Sequence, residues 1–240
     1  AGMDTIGGAI EVNLKRAQTT NGGLALSGDF ATSYNSINDA TTLAGDINAS
    51  GNNIGFLAYF SDQQGNDYED GNGNLIKSTQ YDKQQMGIDV TFSENELTLG
   101  VTWHHSQTND SGTPALPMDI DYIDSERFNT DGQWQDADWA IDWRLGYQDA
   151  THGMDNYSQR SNMMNAMHRY NTATATTLDY KLTISNDRWL FGLEGFDASH
   201  ESIITNHNNV MFKVANFNHV KDARHSVLIQ WSADNNEQSH

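Results

Sequence analysis

The chain has 240 residues, which is enough for one large all-β domain or two small ones. It contains no cysteine, so disulfide bonds and thiolate metal sites are excluded. Thirteen Lys and Arg residues against 32 Asp and Glu give a net charge of -19, which argues against nucleic acid as a partner.

Apolar and polar residues alternate along most of the chain, with the period of two that is typical of a strand with one apolar face. In the first such stretch Leu24, Leu26 and Phe30 share one face, and Ser27 and Asp29 share the other. The alternation recurs around these residues: Leu43 and Ile47; Ile54, Phe56 and Phe60; Met86, Ile88 and Val90; Leu97, Leu99, Val101 and Trp103; a weaker stretch from Ser125 to Trp134; Ile141, Trp143 and Leu145; Leu178, Tyr180 and Leu182; Trp189, Phe191 and Leu193; Val227, Ile229 and Trp231. The pattern predicts about ten strands, each about as long as a tilted barrel strand that crosses a bilayer.

Charged residues stand in the middle of these predicted strands: Asp29, Asp46, Asp89, Asp142 and Arg144. An unpaired charge is costly to bury in the dry core of a soluble sandwich, whereas it is readily accommodated facing a water-filled lumen. Aromatic residues near strand ends fit the interfacial girdles of a membrane barrel: Tyr34, Trp139, Tyr147 and Trp189. The alternation therefore favours an antiparallel transmembrane β-barrel over a soluble sandwich.

The predicted connections alternate in length along the chain. Short turns and long loops follow one another, with turns at 51–53, 93–96 and 185–187 and loops at 63–80, 107–122, 149–172 and 201–222. Short turns at one rim and long loops at the other are typical of outer-membrane barrels, in which the long loops lie outside the cell.

The stretch "GGAIEVNLKR" at 7–16 resembles the end of the plug domain in TonB-dependent outer-membrane receptors. In that family a Gly-Gly pair, alternating Ile and Val, and then Lys or Arg precede the first barrel strand, and the matching residues here are Gly7, Gly8, Ile10, Val12 and Lys15. The stretch "TPALPMDIDYID" at 113–124 is similar to an outer loop of these receptors. The resemblance implies a transporter rather than an enzyme, located in the outer membrane of a Gram-negative bacterium, surrounded by lipid and driven through its plug by a TonB-type periplasmic protein.

The resemblance also implies a domain organisation. Residues 1–18 would be the C-terminal end of the plug domain, and residues 19–240 the N-terminal part of the receptor barrel. Complete receptor barrels have about 22 strands around the plug. About ten strands would then form an incomplete, open part of a larger barrel, and the chain is expected to be a fragment.

One predicted loop, 149–172, concentrates possible metal ligands: His152, Met154, Met163, Met164, Met167 and His168. His152 and Met154 are two residues apart, so they share a face if the segment is extended. Imidazole and thioether form a soft ligand set that suits copper, especially Cu(I), better than Mg²⁺ or Ca²⁺. The alternative is that the methionines are adaptable apolar filler.

The stretch "HGMDNYSQR" at 152–160 resembles the copper-receptor subgroup, in which a His-x-Met pair on the barrel joins plug ligands to hold copper. The resemblance points to His152 and Met154 alone. Met163, Met164, Met167 and His168 are added from composition as a possible capture patch. Copper is thus expected as a transported ligand, and no resident cofactor is expected.

Two other classes stay open on the sequence alone. A small closed outer-membrane barrel could act as a protease through His200 and Glu201, or through His152 and Asp155, although no nucleophile, base and orienting group are indicated. A closed barrel could also be a porin or an adhesin. For a receptor, a siderophore or cobalamin is an alternative cargo, because loops and plug surfaces recognise those ligands.

Overall fold

The computed structural model describes residues 15–20, 22–160, 167–206 and 209–232. The strands are β1 (Ala25–Asn35), β2 (Ala40–Ser50), β3 (Ile54–Gly65), β4 (Tyr68–Glu69), β5 (Leu75–Ile76), β6 (Tyr81–Glu94), β7 (Leu97–Ser111), β8 (Asp119–Gln135), β9 (Ala140–Asp155), β10 (Arg169–Ser185), β11 (Trp189–Asn206) and β12 (Asn209–Trp231). In these ranges there is no helix long and apolar enough to cross a membrane.

Ten of the strands form one antiparallel sheet in the order β1-β2-β3-β6-β7-β8-β9-β10-β11-β12, while β4 and β5 pair as a small hairpin inside the β3–β6 connection. Within the described residues β1 and β12 do not touch, so the sheet is open. The prediction of an all-β, antiparallel, open sheet of about ten strands is confirmed.

The two faces of the sheet differ in chemistry. On the apolar face, one row of cross-strand neighbours contains Ile54, Phe92, Leu99, Gly132, Trp143, Leu182, Leu193 and Val227. Buried apolar side chains in the described ranges are only Ala17, Ala40 and Leu57. A soluble sandwich would enclose such apolar rows between two sheets. This single-layer wall instead leaves its apolar face open, as a face covered by lipid would be.

The apolar band crosses the sheet obliquely. Six residues further along the strands, another row on the same face begins with Phe30, Gly45, Phe60 and Met86. It continues with polar residues at Glu126 and Asp149. Rows of partners run perpendicular to the strands, so an oblique band means that the strands are tilted relative to it. Tilted strands are a geometric requirement of a barrel wall.

The ends of the sheet are also unlike. Connections at the short-turn end are brief, and two of them use the same side-chain cap. Asp136 Oδ1 accepts the N–H groups of Asp138 and Trp139 at 2.8 and 2.7 Å, and Asn186 Oδ1 accepts those of Arg188 and Trp189 at 2.9 and 2.7 Å. These carboxylate and amide acceptors satisfy backbone donors that the tight turn leaves unpaired.

At the opposite, long-loop end the predicted extent of three loops was wrong. The loop predicted at 201–222 is mostly strand, because β11 continues to Asn206 and β12 begins at Asn209. The other two were predicted at 107–122 and 149–172, but β7 continues to Ser111, β8 begins at Asp119, β9 continues to Asp155 and β10 begins at Arg169. The connections are therefore shorter, at 112–118 and 156–168. Beyond the apolar band the strand residues are mostly polar on both faces, so the backbone pairing continues while the alternation that reveals it disappears.

Candidate transport site

An extended segment, residues 15–20, crosses the polar face of the sheet before β1 begins. Lys15 Nζ lies 2.8 Å from Asp46 Oδ2. Arg16 reaches two further strands, with Nε 2.6 Å from Asp89 Oδ2 and Nη1 2.6 Å from Asp131 Oδ1. Three carboxylates from β2, β6 and β8 therefore hold two consecutive basic residues. The segment is attached to the wall by charge rather than by apolar packing.

Asp89 is the centre of this attachment. Its side chain is fully buried, and besides Arg16 it accepts the backbone N–H of Ala17 at 2.7 Å and the hydroxyl of Thr102 at 2.6 Å. A buried carboxylate is tolerated only when its oxygens are paired in this way. Asp89 thus fixes both the side chain and the backbone of the crossing segment.

Two glycines on the polar face make room for the segment. A Cβ at Gly100 would collide with the Arg16 guanidinium, and a Cβ at Gly55 would collide with the backbone of Gln18. The close approach of segment and wall therefore requires the absence of side chains at these two positions.

The rest of the polar face carries paired polar groups. The hydroxyl of Tyr59 and Nδ1 of His104 lie 2.9 Å apart, and Arg127 Nη2 lies 3.4 Å from Asp179 Oδ1. Four charged residues predicted to face a lumen share this face by register: Asp29 with Asp46, and Asp142 and Arg144 along β9. That part of the sequence prediction, together with the inward position of Asp89, is confirmed.

His152 and Met154 lie on the polar face near the long-loop end of β9. Both are partly buried. The cross-strand neighbours of His152 are Ile123 and Ala173, and those of Met154 are Ile120 and Asn171. No carboxylate stands among these register partners. A site here would therefore offer imidazole and thioether donors without a neighbouring carboxylate, which is a setting for a soft metal ion.

The other predicted ligands are arranged differently. The His168 ring stacks on Tyr157, with ring centroids 4.9 Å apart, and the exposed Met167 accepts a hydrogen bond at its carbonyl from Asn156 Nδ2 at 3.1 Å. Met163 and Met164 lie outside the described residues. Across the described ranges, no three His, Cys, Asp or Glu side chains are grouped so that they could hold a metal ion. The capture patch stays a prediction.

The residue pairs suggested for a protease do not form. Neighbouring residues on a strand point to opposite faces, and His200 and Glu201 are neighbours on β11. His152 and Asp155, three residues apart on β9, also point to opposite faces. Neither pair can share a substrate as acid and base.

Comparison with known proteins adds a likeness of fold. No family model matches the sequence, and no curated protein matches it. Among solved structures, the chain is similar to one described as "Copper transporter OprC", with a TM-score of 0.73 and 18% sequence identity over 89% of this chain and 35% of that one. The chain spans about a third of that protein's length. At this identity the likeness shows the fold alone.

Sequence reasoning found some of these residues and missed others. Lys15 was noted as part of the family-like motif and Asp89 as a mid-strand charge, but nothing in the sequence joined Arg16 to Asp89 across 73 residues. Asp119 and Arg160, which form an ion pair described below, carried no local signal because their partners are 41 residues apart.

Proposed function

We propose that the chain is part of an outer-membrane active-transport receptor that takes up a metal ion or metal complex, with copper as its cargo. In this proposal residues up to 18 end a plug that lies inside the barrel, residues 19–240 form part of the wall, and a TonB-type periplasmic protein supplies the energy through the plug. The wall stands in the outer membrane of a Gram-negative bacterium, with lipid on its apolar face.

The observation that carries the proposal is the segment at 15–20. A channel that is passively open has no need for a chain segment bound across its polar face, whereas a plugged receptor requires its plug to be joined to the first strand and fastened to the wall. The three ion pairs of Lys15 and Arg16 provide this attachment. The likeness of fold to a structure described as a copper transporter supports the same function.

The donor chemistry at His152 and Met154 supports copper as the cargo. Both donors face the same side as the crossing segment, and their register partners are apolar or neutral. Cu(I) prefers thioether and imidazole over carboxylate ligands, while the abundant cations Mg²⁺ and Ca²⁺ prefer oxygen. Two donors leave the coordination of Cu(I) incomplete, and in the proposal the plug supplies the rest.

The test is a Cu(I) titration of the full-length protein, by competition with a chromophoric chelator. We expect His152→Ala with Met154→Ala to weaken Cu(I) binding about 100-fold, since a metal site is sensitive even to changes outside its ligands. His200→Ala is the matched control. This histidine also lies on the polar face, on β11, where it pairs with Ala175 and is not a register partner of either donor. Equal affinity in the wild type and the double variant would overturn the site.

Energy dependence is a separate question and needs a separate measurement. Copper accumulation by whole cells should fall to the background level when a protonophore collapses the inner-membrane proton gradient, because a TonB-type partner draws on that gradient. Accumulation that continues unchanged would favour a passive porin instead. A siderophore or cobalamin cargo would appear as uptake of that chelate in cells that show no copper uptake.

A further inference from the structure

Three connections at the long-loop end meet at one buried carboxylate. Asp119 is 1% exposed, and Arg160 holds it with two parallel contacts, Nε to Oδ2 at 2.5 Å and Nη2 to Oδ1 at 2.6 Å. The same guanidinium donates to the carbonyls of Leu116 at 2.6 Å and Thr113 at 2.8 Å. Bidentate pairing of this kind is the strongest geometry available to arginine and a carboxylate.

The carboxylate also binds the two other connections. The hydroxyl of Ser78, from the β3–β6 connection, donates to Asp119 Oδ2 at 3.1 Å. The backbone N–H of Thr113, from the β7–β8 connection, donates to Oδ1 at 2.8 Å. Burial opposes the ionised form of Asp119, but the hydrogen bonds from Arg160 and Thr113 outweigh it, and the pKa of this carboxyl, well beyond the apolar band, is lowered. The carboxylate stays charged at neutral pH.

Gln159 adds to the same joint. Its side-chain amide donates to the carbonyl of Ile120 at 3.2 Å, and its carbonyl oxygen accepts from the side chain of Gln80. The β9–β10 connection is therefore fastened to both of its neighbours through two consecutive residues. Asp119, Gln159 and Arg160 together form what we call the clasp.

The clasp lies next to the donor pair in the sheet. Asp119 and Ile120 are the first residues of β8, and they pair in register with Asp155 and Met154 of β9. Immediately after them the pairing of β8 with β9 is interrupted between Ile120 and Tyr122. A bulge weakens the ladder locally. The strand ends that carry Met154 would therefore depend on contacts from outside the ladder, which the clasp supplies.

We propose that the clasp positions the His152–Met154 donor pair, and that Arg160 is a positioning residue for binding of a soft metal ion at that pair. The proposal rests on the proposed function. Arg160 itself offers no metal-binding atom, since a guanidinium has only donors. It acts by holding the end of the β8–β9 hairpin beyond the bulge, so that the imidazole of His152 and the thioether of Met154 keep one relative geometry.

The experiment compares Arg160→Ala with Arg169→Ala in the full-length protein folded in lipid vesicles. Arg169 is an exposed arginine at the start of β10, so its removal changes the charge of the same connection without touching the clasp. The first readout is amide hydrogen exchange. In Arg160→Ala, exchange at Thr113 and Met154 should speed up about tenfold or more, because removal of one partner leaves a buried charge unpaired. Arg169→Ala should leave both amides unchanged.

The second readout is Cu(I) affinity. Arg160→Ala should weaken Cu(I) binding about tenfold with the two donors still present, as expected for a residue that orients ligands. Arg160→Lys, which keeps the charge but cannot make the paired contacts, should fall between wild type and Arg160→Ala. X-ray absorption should still show nitrogen and sulfur ligands in each variant.

The outcomes separate the two proposals. Wild-type protein that fails to bind Cu(I) through His152 and Met154 overturns the copper site, and with it the positioning role. Faster exchange in Arg160→Ala with wild-type Cu(I) affinity leaves the donor pair in place and overturns the positioning role alone. Faster exchange confined to residues 156–160 also overturns it, because the clasp would then not restrain β8 and β9.

Discussion

Two regions of the molecule use the same device in different surroundings. In the wall, Asp89 is buried and is held by Arg16, by the N–H of Ala17 and by the hydroxyl of Thr102. At the long-loop end, Asp119 is buried and is held by Arg160, by the N–H of Thr113 and by the hydroxyl of Ser78. Each of these buried carboxylates is a hub, that is, one acceptor for several donors. Asp89 attaches the crossing segment to β6, and Asp119 attaches three connections to each other.

The difference lies in what surrounds each hub. Asp89 lies in the middle of β6, which has strands on both sides in the ten-stranded sheet, and the opposite face of that strand is apolar. The connections around Asp119 have few apolar side chains to bury, and hydrogen bonds supply their organisation. We therefore expect loss of Asp89 to affect the attachment of the segment and the stability of the whole wall, and loss of Asp119 contacts to stay local.

The largest expected effect is at Asp89. Asp89→Ala removes the buried partner of Arg16 and the acceptor for Ala17, and it should lower the free energy of unfolding by about 3 kcal/mol. Urea unfolding in lipid vesicles, followed by tryptophan fluorescence, measures this. Asp131→Asn is the control, since Asp131 is a third exposed and Arg16 keeps Asp89. If both variants lose the same free energy of unfolding, Asp89 contributes no more to the attachment of the segment than the exposed Asp131 does.

The second prediction tests the two faces of one strand. Val101 is on the apolar face and Thr98 is on the polar face of β7, where Thr98 borders a groove with Asp131 and Asp142. Val101→Arg should cost about 2–4 kcal/mol in a bilayer, as for a cation on the lipid side of a barrel. Thr98→Arg should cost less than about 1 kcal/mol, because water can solvate the guanidinium in the groove and the carboxylates of Asp131 and Asp142 can pair with it. Unfolding in lipid vesicles compares them, and similar costs would contradict a lipid-facing wall.

These two effects show which parts of the structure the sequence could reveal. The strands, their faces and the charges on the polar face follow from alternation, because neighbouring residues of a strand point to opposite faces of the sheet. His152 and Met154 were predicted from a short motif, and the structure places both on the polar face of β9. The clasp could not be found, because Asp119 and Arg160 obey no periodicity and meet only when three connections fold together. The strand extensions beyond the apolar band were missed for a related reason, since polar residues on both faces remove the alternation.

A smaller effect is expected at Asp67 in the β3–β6 connection. Its Oδ1 accepts the N–H groups of Thr79 and Gln80 at 2.7 and 2.9 Å, so it holds the backbone of this connection. The clasp reaches the same connection only through the side chains of Ser78 and Gln80. Asp67→Ala should speed amide exchange at Thr79 and Gln80 by about tenfold, as for loss of a charged acceptor, and leave Thr113 unchanged. A change at Thr113 of similar size would show that the connection and the clasp open as one unit.

The smallest effect is a pH response of the exposed turn at 70–74. Asp70 accepts hydrogen bonds from the side chain of Asn74 and from the N–H groups of Asn74 and Asn72, and these bonds lower the pKa of its carboxyl. In the unfolded chain the pKa of an aspartate carboxyl is about 4. Because the folded turn lowers this pKa, the ionised carboxyl stabilises the turn at every pH above that value. The stabilisation is lost as the pH falls through the pKa of the folded turn. The amide proton shift of Asn74 should therefore be constant from pH 7 to pH 5 and should change only at lower pH. Asp70→Asn should abolish that change. A transition near pH 6 in the wild type would show that the carboxylate is not stabilised by the turn, and the carboxylate-centred organisation of the long-loop end would then not extend to its exposed tips.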